Sequence, residues 1–184
     1  DAAGLEIAIT GPTLRFNKAC VIALSGASID ASLDGNAVGM DRAIYVSAGG
    51  TLKLKKVHQN GFRTYVAIRG GIDVPLYLGS RATFSLGQFG GHAGRNLLIG
   101  DMLPITAFTS NEVKALAPEQ VPTFSQEWEI AVMYGPHGAP DFFTKNDIDT
   151  FFANSFEIHF NSSRTGIRLI GPKPEWARED GGEA

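Results

Sequence analysis

The residues best suited to bind an anionic group lie in a glycine-rich stretch near the middle of the chain. Segment 87–95 contains Gly90 and Gly91, followed by His92 and Arg95. Backbone N–H groups of successive glycines can converge on a ligand oxygen, because no Cβ atom obstructs the approach. No Gly-Lys-Ser/Thr sequence follows and no clear helix begins there, so the pattern does not fit a phosphate-binding P-loop. A tight loop with a purely structural role remains the alternative.

A second polar cluster, residues 134–143, joins a predicted strand to a predicted helix and contains His137 and Asp141. Loops of this kind often carry binding residues on a rigid frame. His137 and Asp141 are four residues apart, but the prolines of the loop argue against a shared helical face. No third ligand is evident, so the sequence does not predict a zinc site or another metal site.

The third cluster, residues 159–168, has the pattern of a strand, a polar turn and a strand, and it contains Asn161, Arg164 and Arg168. Two guanidinium groups suit a carboxylate, because each offers paired N–H donors. A surface turn with one arginine paired to an acid is the alternative. Neither a Gly-x-Ser-x-Gly motif nor paired carboxylates at short spacing occur, so hydrolase chemistry is not indicated.

The composition favours a mainly β protein that binds neither nucleic acid nor membrane. The 184 residues include 22 glycines, and only 19% are charged, which is typical of short strands joined by tight turns. A net charge of -3 gives no basic field for a phosphate backbone. No run approaches the roughly 18 apolar residues of a membrane span. We therefore expect a cytoplasmic chain.

Alternating apolar and polar residues predict a half-buried hairpin over residues 5–16. Thr144 is the predicted N-cap of one short helix, with Asp147 in its first turn. The spacing of the strands, about ten residues, is typical of a barrel or a sandwich. Loss of periodicity near residue 105 predicts a division into 1–110, a crossover linker 111–127, and a C-terminal part 128–184. Further strands are predicted at 21–25, 43–47, 51–55, 64–69, 97–103, 128–134, 156–160 and 166–170.

Residues 65–75, 78–84 and 90–92 resemble the KipA-like, or allophanate hydrolase subunit 2-like, family. Within it, residues 135–143 and 168–178 are similar to the carboxyltransferase region of urea carboxylase, which is part of urea amidolyase. The likeness spans nearly the whole chain. It implies a mainly β, cyclophilin-like β-barrel with one short helix in the C-terminal part. The family's Thr-Val-Gln-Asp type motif is missing and urea carboxylases continue past the end, so we expect a fragment of a larger multidomain chain.

The resemblance also implies an activity and its components. A biotin-dependent urea carboxylase transfers the carboxyl group of carboxybiotin to urea, giving allophanate, or to guanidine, giving carboxyguanidine. Biotin would sit on a carrier domain outside this chain, and ATP, Mg and bicarbonate would serve a biotin carboxylase domain. A KipI-like half would complete the carboxyltransferase, so the fragment is expected to be inactive alone. The alternatives are a KipA-like subunit of a 5-oxoprolinase assembly and a non-catalytic regulatory binding module.

Loss of CO2 from carboxybiotin leaves a ureido oxyanion, which needs donors placed where the charge develops. We expect the catalytic groups to be Arg95, Arg168 and His92. The oxyanion loop would be Gly90 and Gly91. The expected substrate-binding residues are Asp141, His137, Asn161 and Arg164.

Overall fold

The computed structural model describes residues 2–58, 60–107, 110, 112–162, 164 and 166–180. Within them lie ten strands, a single α-helix and one short 3₁₀ turn at Pro118–Gln120. The helix α1 spans Lys145–Ala153. The strands are β1 (Leu5–Ala8), β2 (Thr13–Arg15), β3 (Cys20–Gly26), β4 (Ile29–Leu33), β5 (Asn36–Ala37), β6 (Ala43–Val46), β7 (Thr51–Val57), β8 (Arg63–Ile68), β9 (Glu157–Ile158) and β10 (Leu169–Ile170).

Eight of these strands form two antiparallel four-stranded sheets. The first has the order β1-β8-β3-β6 and the second has the order β2-β7-β4-β5. Strands β9 and β10 form a separate antiparallel pair. The predicted mainly β fold with one short helix is therefore confirmed, and the predicted barrel takes the form of two sheets that share one core.

The predicted hairpin over residues 5–16 is wrong, because its two strands belong to different sheets. Leu5 of β1 lies opposite Val66 of β8, whereas Leu14 of β2 lies opposite Leu52 of β7. The chain changes sheets at Ile9, whose φ of 66° turns the backbone. The period-2 pattern identifies both strands correctly, but it does not specify which strand is the partner of each.

The core lies between the two sheets and is built from alternate residues of their strands. Leu52 and Leu54 of β7 point inward, as does Val66 of β8. Their neighbours Lys53 and Tyr65 face outward. Cys20 is fully buried, and burial raises the pKa of its thiol. The sole cysteine is therefore part of the core.

Two of the predicted strands are absent from the structure. Segment 97–103 is irregular and contains a turn at residues 98–101, where Gly100 has a φ of +96° and the N–H of Asp101 bonds back to Leu98 at 3.1 Å. Residues 128–134 pair with no strand in the described part of the chain, although they are apolar enough to do so. The 156–160 and 166–170 strands shorten to the two-residue β9 and β10. Strand β4 was missed, since its Asp, Ala and Ser residues have low β-propensity.

Internal contacts divide the chain into two units, one that ends at Trp128 and one that begins at Glu129. The two sheets belong to the first unit, and the helix belongs to the second. The predicted N-cap is confirmed, because the Thr144 hydroxyl accepts a hydrogen bond from the Asp147 N–H at 3.1 Å. The functional division into 1–110, 111–127 and 128–184 remains a prediction.

Candidate functional site

The glycine-rich loop of the first unit is preceded by a segment ordered by its own turns and aromatic rings. Backbone bonds of 2.8 and 3.0 Å pair Tyr77 with Ser80, and bonds of 2.9 and 3.4 Å pair Phe84 with Phe89. The Phe89 ring centroid lies 4.9 Å from that of Tyr77 and 5.2 Å from that of Phe84. These contacts give a loop without regular strands a packed frame for His92 and Arg95.

The glycines of this loop are needed for the loop to close. Gly90 and Gly94 have φ values of +74° and +65°, a region that L side chains rarely adopt. A Cβ atom at Gly90 would collide with the Ala82 carbonyl oxygen, and one at Gly94 would collide with that of Gln88. The glycines therefore have a structural role in this loop, whichever ligand it binds.

Arg95 and His92 converge on Asp101, a residue that the sequence patterns did not single out. The Arg95 guanidinium donates two parallel bonds to the Asp101 carboxylate, at 2.7 and 2.9 Å. The Leu98 N–H adds a third bond of 2.7 Å, and His92 Nε2 lies 3.9 Å from Asp101 Oδ1. The Asp101 side chain is only 15% exposed. In the sequence, the Gly100-Asp101 pair six residues after Arg95 was the feature that could have pointed to this aspartate.

The electrostatics of this cluster fix its charge state. The Arg95 guanidinium, the Leu98 N–H and the nearby His92 hold the pKa of Asp101 well below its ordinary value, although burial opposes the shift. The hydrogen bond from Arg95 is the largest cause, and the same bond raises the pKa of Arg95. One edge of the guanidinium is thus committed to Asp101. Within the described residues its Nε–H has no partner, so it can still donate to a ligand oxygen.

In the second unit, the loop before α1 packs against residues near the end of the described chain. Arg178 donates from Nε to the Asp141 carbonyl oxygen at 3.1 Å, and its guanidinium carbon lies 3.8 Å above the Phe142 ring. The His137 ring contacts the same Phe142 ring edge-on, with centroids 4.5 Å apart. His137 and Asp141 therefore belong to one cluster centred on the Phe142 ring. The loop leads into α1 as predicted, but no strand directly precedes it among the residues that the structure describes, so the predicted strand-to-helix connection is wrong.

The Asp147 carboxylate takes part in capping the N-terminus of α1. It accepts bonds from the Thr144 N–H at 2.8 Å and the Glu175 N–H at 2.7 Å. These bonds lower the pKa of Asp147, with the Glu175 N–H as the largest cause. The Asp141 side chain is exposed, and its carboxylate makes no hydrogen bond to a residue that the structure describes. Its acceptor oxygens are open to a ligand.

Hydrogen bonds of Ser162 connect Arg168 with His159 between β9 and β10. The Ser162 hydroxyl accepts from the Arg168 N–H at 3.1 Å and donates to the His159 carbonyl at 2.7 Å. The Asn161 N–H bonds His159 Nδ1 at 3.0 Å. The side chains of Asn161, Arg164 and Arg168 are exposed. Arg95, His92, Gly90 and Gly91 belong to the first unit, whereas Arg168, Asp141, His137, Asn161 and Arg164 belong to the second.

The described residues contain no group of three His, Cys, Asp or Glu side chains arranged to hold a metal ion. Among the helices of those residues, none is long and apolar enough to span a membrane.

The architecture described above is shared with a known family. The family model described as "Carboxyltransferase domain, subdomain A and B" matches residues 1–183. The chain therefore belongs to the carboxyltransferase domain family that comprises subdomains A and B, as the motifs indicated.

Individual relatives refine this placement. Urea amidolyase of Saccharomyces cerevisiae is 43% identical over 186 residues, which cover 97% of this chain and 10% of that protein. The crystal structure of Kluyveromyces lactis urea carboxylase matches with a TM-score of 0.84 at 42% identity, covering 95% of this chain and 16% of that one. A 5-oxoprolinase subunit of Escherichia coli is 34% identical, over 93% of this chain and 53% of its own length. The chain thus spans a small part of the first two proteins and about half of the third.

Proposed function

We propose that the chain is part of the carboxyltransferase of a biotin-dependent urea carboxylase. In this reaction the carboxyl group of carboxybiotin passes to urea, giving allophanate, or to guanidine, giving carboxyguanidine. The observation that carries the proposal is the 42% to 43% identity to urea carboxylase and urea amidolyase over nearly the whole chain, against 34% to a 5-oxoprolinase subunit. We also propose a cytoplasmic location, where ATP and bicarbonate are at hand.

The donors of the glycine-rich loop fit the ureido group of biotin. Within the described residues, the N–H groups of Gly90 and Gly91 have no hydrogen-bond partner, and Arg95 keeps its Nε–H. Such N–H donors stabilise negative charge on an oxygen, most strongly where water is excluded. Biotin, when bound, supplies the carboxyl group. We assign Gly90, Gly91 and Arg95 to holding the ureido oxygen, with Asp101 keeping the guanidinium in place.

The remaining roles fall to His92 and to residues of the second unit. His92, held beside Asp101, can bind a carboxyl oxygen or hold a proton near it. Arg168 and Arg164 carry paired N–H donors that suit a carboxylate. The Asp141 carboxylate can accept two N–H bonds from urea or guanidine, with His137 and Asn161 as further polar groups of the substrate site. Urea is a weak nucleophile, so orientation and removal of water are the main contributions these residues can make.

The proposal places the other steps outside this chain. A biotin carboxylase domain would use ATP, Mg and bicarbonate, a carrier domain would hold the biotin, and a KipI-like half would complete the carboxyltransferase. The chain's small share of urea amidolyase is consistent with such a division. Isolated as a fragment, it should therefore fail to carboxylate urea or guanidine.

The 34% identity to a 5-oxoprolinase subunit supports a second candidate, a subunit of an assembly that acts without biotin. A non-catalytic regulatory module is the third candidate. The test uses the full-length protein that contains this chain and measures ATP-dependent incorporation of labelled bicarbonate into urea and guanidine. We expect incorporation that avidin abolishes, because avidin sequesters biotin. Turnover of 5-oxoproline that avidin leaves unchanged, or no turnover of any of these substrates, would overturn the proposal.

A further inference from the structure

A cavity of about 580 Å³ opens on the outer face of the first sheet. Tyr65 and Arg63 line it from β8, where they alternate with the inward-facing Thr64 and Val66. This volume falls within the range of about 300–1,000 Å³ that is typical of small-molecule sites. None of the residues assigned to carboxyl transfer lines the cavity, so a ligand bound there would be independent of the proposed function.

Four aromatic side chains contribute to the walls of the cavity. Tyr65 belongs to β8 and Phe62 directly precedes that strand, whereas Phe124 and Trp128 come from the irregular segment after the 3₁₀ turn. The Phe124 and Trp128 centroids are 6.3 Å apart, with their rings tilted by 44°. Tyr65 is 45% exposed and Trp128 is 61% exposed. Exposed rings around a concave space provide faces and edges on which another flat ring can pack.

The wall segments are held in place by the protein itself. The Asn60 side-chain amide donates to the Phe124 carbonyl at 2.7 Å, which ties the 124–128 segment to the loop before β8. Gly61 has a φ of +96°, and a Cβ atom there would lie 2.8 Å from the Ala27 Cβ, so the loop packs closely on the sheet. A site whose walls are already ordered loses less conformational entropy when a ligand binds.

Arg63 determines which charge the cavity favours. Its Nε donates to Glu6 at 3.0 Å, but neither Nη1 nor Nη2 has a hydrogen-bond acceptor among the described residues. The guanidinium carbon also lies 5.3 Å from the centre of the Phe62 ring. A cationic ligand would therefore be repelled by the guanidinium that already lies over that ring. An anionic oxygen, in contrast, would gain charge-assisted bonds from the terminal amino groups of Arg63.

We propose that this cavity binds a small molecule with a flat aromatic ring and a carboxylate. The ring packs against Tyr65 and Trp128, and the carboxylate accepts hydrogen bonds from Arg63. Because Glu6 partly neutralises Arg63, the aromatic contacts supply most of the affinity and Arg63 supplies the preference for an acid.

The test is fluorine NMR of three matched probes with the full-length protein that contains this chain. The probes are a fluorinated naphthoate, the corresponding naphthyl alcohol and the corresponding naphthylmethylamine. We expect saturable binding of the naphthoate, about 10-fold tighter than that of the alcohol, and the weakest binding for the amine. Tyr65→Ala should weaken naphthoate binding about 10-fold, and Arg63→Gln should remove the preference for the acid over the alcohol.

Phe160→Ala is the matched control, because Phe160 is 93% exposed and belongs to the second unit. It should leave all three affinities unchanged. Should Tyr65→Ala fail to fold, Trp128→Leu removes a ring from an irregular segment and replaces it in the test. The proposal is overturned if no probe binds saturably, if acid and alcohol bind equally, or if the control variant weakens binding as much as the cavity variants.

Discussion

Asp141→Asn is expected to impair carboxylation of guanidine more than carboxylation of urea in the full-length protein. The Asp141 side chain is exposed, and the bonds that cap α1 are made by Thr144 and Asp147 instead. The substitution keeps the shape of the side chain and removes its charge. A guanidinium ion would lose an ion pair in which both partners are charged, whereas neutral urea would lose only the charge on its acceptor and could still bond the amide oxygen.

The expected magnitudes come from the two kinds of bond. A hydrogen bond to a charged group contributes about 1.5–3 kcal/mol and a neutral one about 0.5–1.5 kcal/mol. Loss of the ion pair, at about 1.5–3 kcal/mol, should lower kcat/KM for guanidine about 10- to 150-fold. For urea the acceptor changes from charged to neutral, a difference of about 1 kcal/mol, so kcat/KM should fall only about 5-fold. The thermal unfolding temperature should not change, because the described residues form no hydrogen bond with the Asp141 carboxylate.

The assay measures kcat/KM for both substrates together with ATP-dependent carboxylation of biotin, which another domain would perform and which should stay normal. Asp149→Asn is the matched control, since Asp149 is also an exposed aspartate, and its one ion pair within the described residues is with Lys145 at 3.0 Å. It should affect neither substrate. Equal losses in kcat/KM with guanidine and urea, or an equal loss in the control variant, would show that Asp141 does not belong to the substrate site.

Three further predictions concern stability. Leu52→Ala should lower the free energy of unfolding by about 2–5 kcal/mol in denaturant titrations, because Leu52 is fully buried; the exposed Leu78→Ala should change it little, and equal effects would contradict the shared core. The pKa of Asp101 is lowered in the folded state, so its bonds stabilise the fold above about pH 4, and this stabilisation is lost as the pH falls through the folded pKa. Asp101→Asn should therefore flatten the acid side of the plot of melting temperature against pH. An unchanged profile would argue against this role. Gly94→Ala should destabilise by more than about 1 kcal/mol in thermal melts; Gly100→Ala, which has the same sign of φ but open space around it, should cost less, and the reverse order would show that loop closure does not depend on Gly94.

The amino-acid sequence alone was sufficient for features whose cause is local. Strands β7 and β8 were predictable to within two residues at each end, because the period-2 pattern of a strand is local. The N-cap at Thr144 was predictable, because a cap involves atoms only three residues apart. The family was also recognisable, since its motifs are short continuous runs such as 65–75.

Features that join distant residues were decided only by the tertiary structure. The pairing of β1 with β8 and of β2 with β7 could not be read from their patterns, because many strands share a period of two. The hydrogen bonds from Arg95 to Asp101 depend on the turn at Gly100. The apolar residues of segment 97–103 led to the prediction of a strand there instead. The aromatic cavity was invisible for the same reason, since Tyr65 and Trp128 are 63 residues apart in sequence and line one space only because the chain folds back between them. Sequence records the local preferences of each segment, and packing selects which distant segments meet.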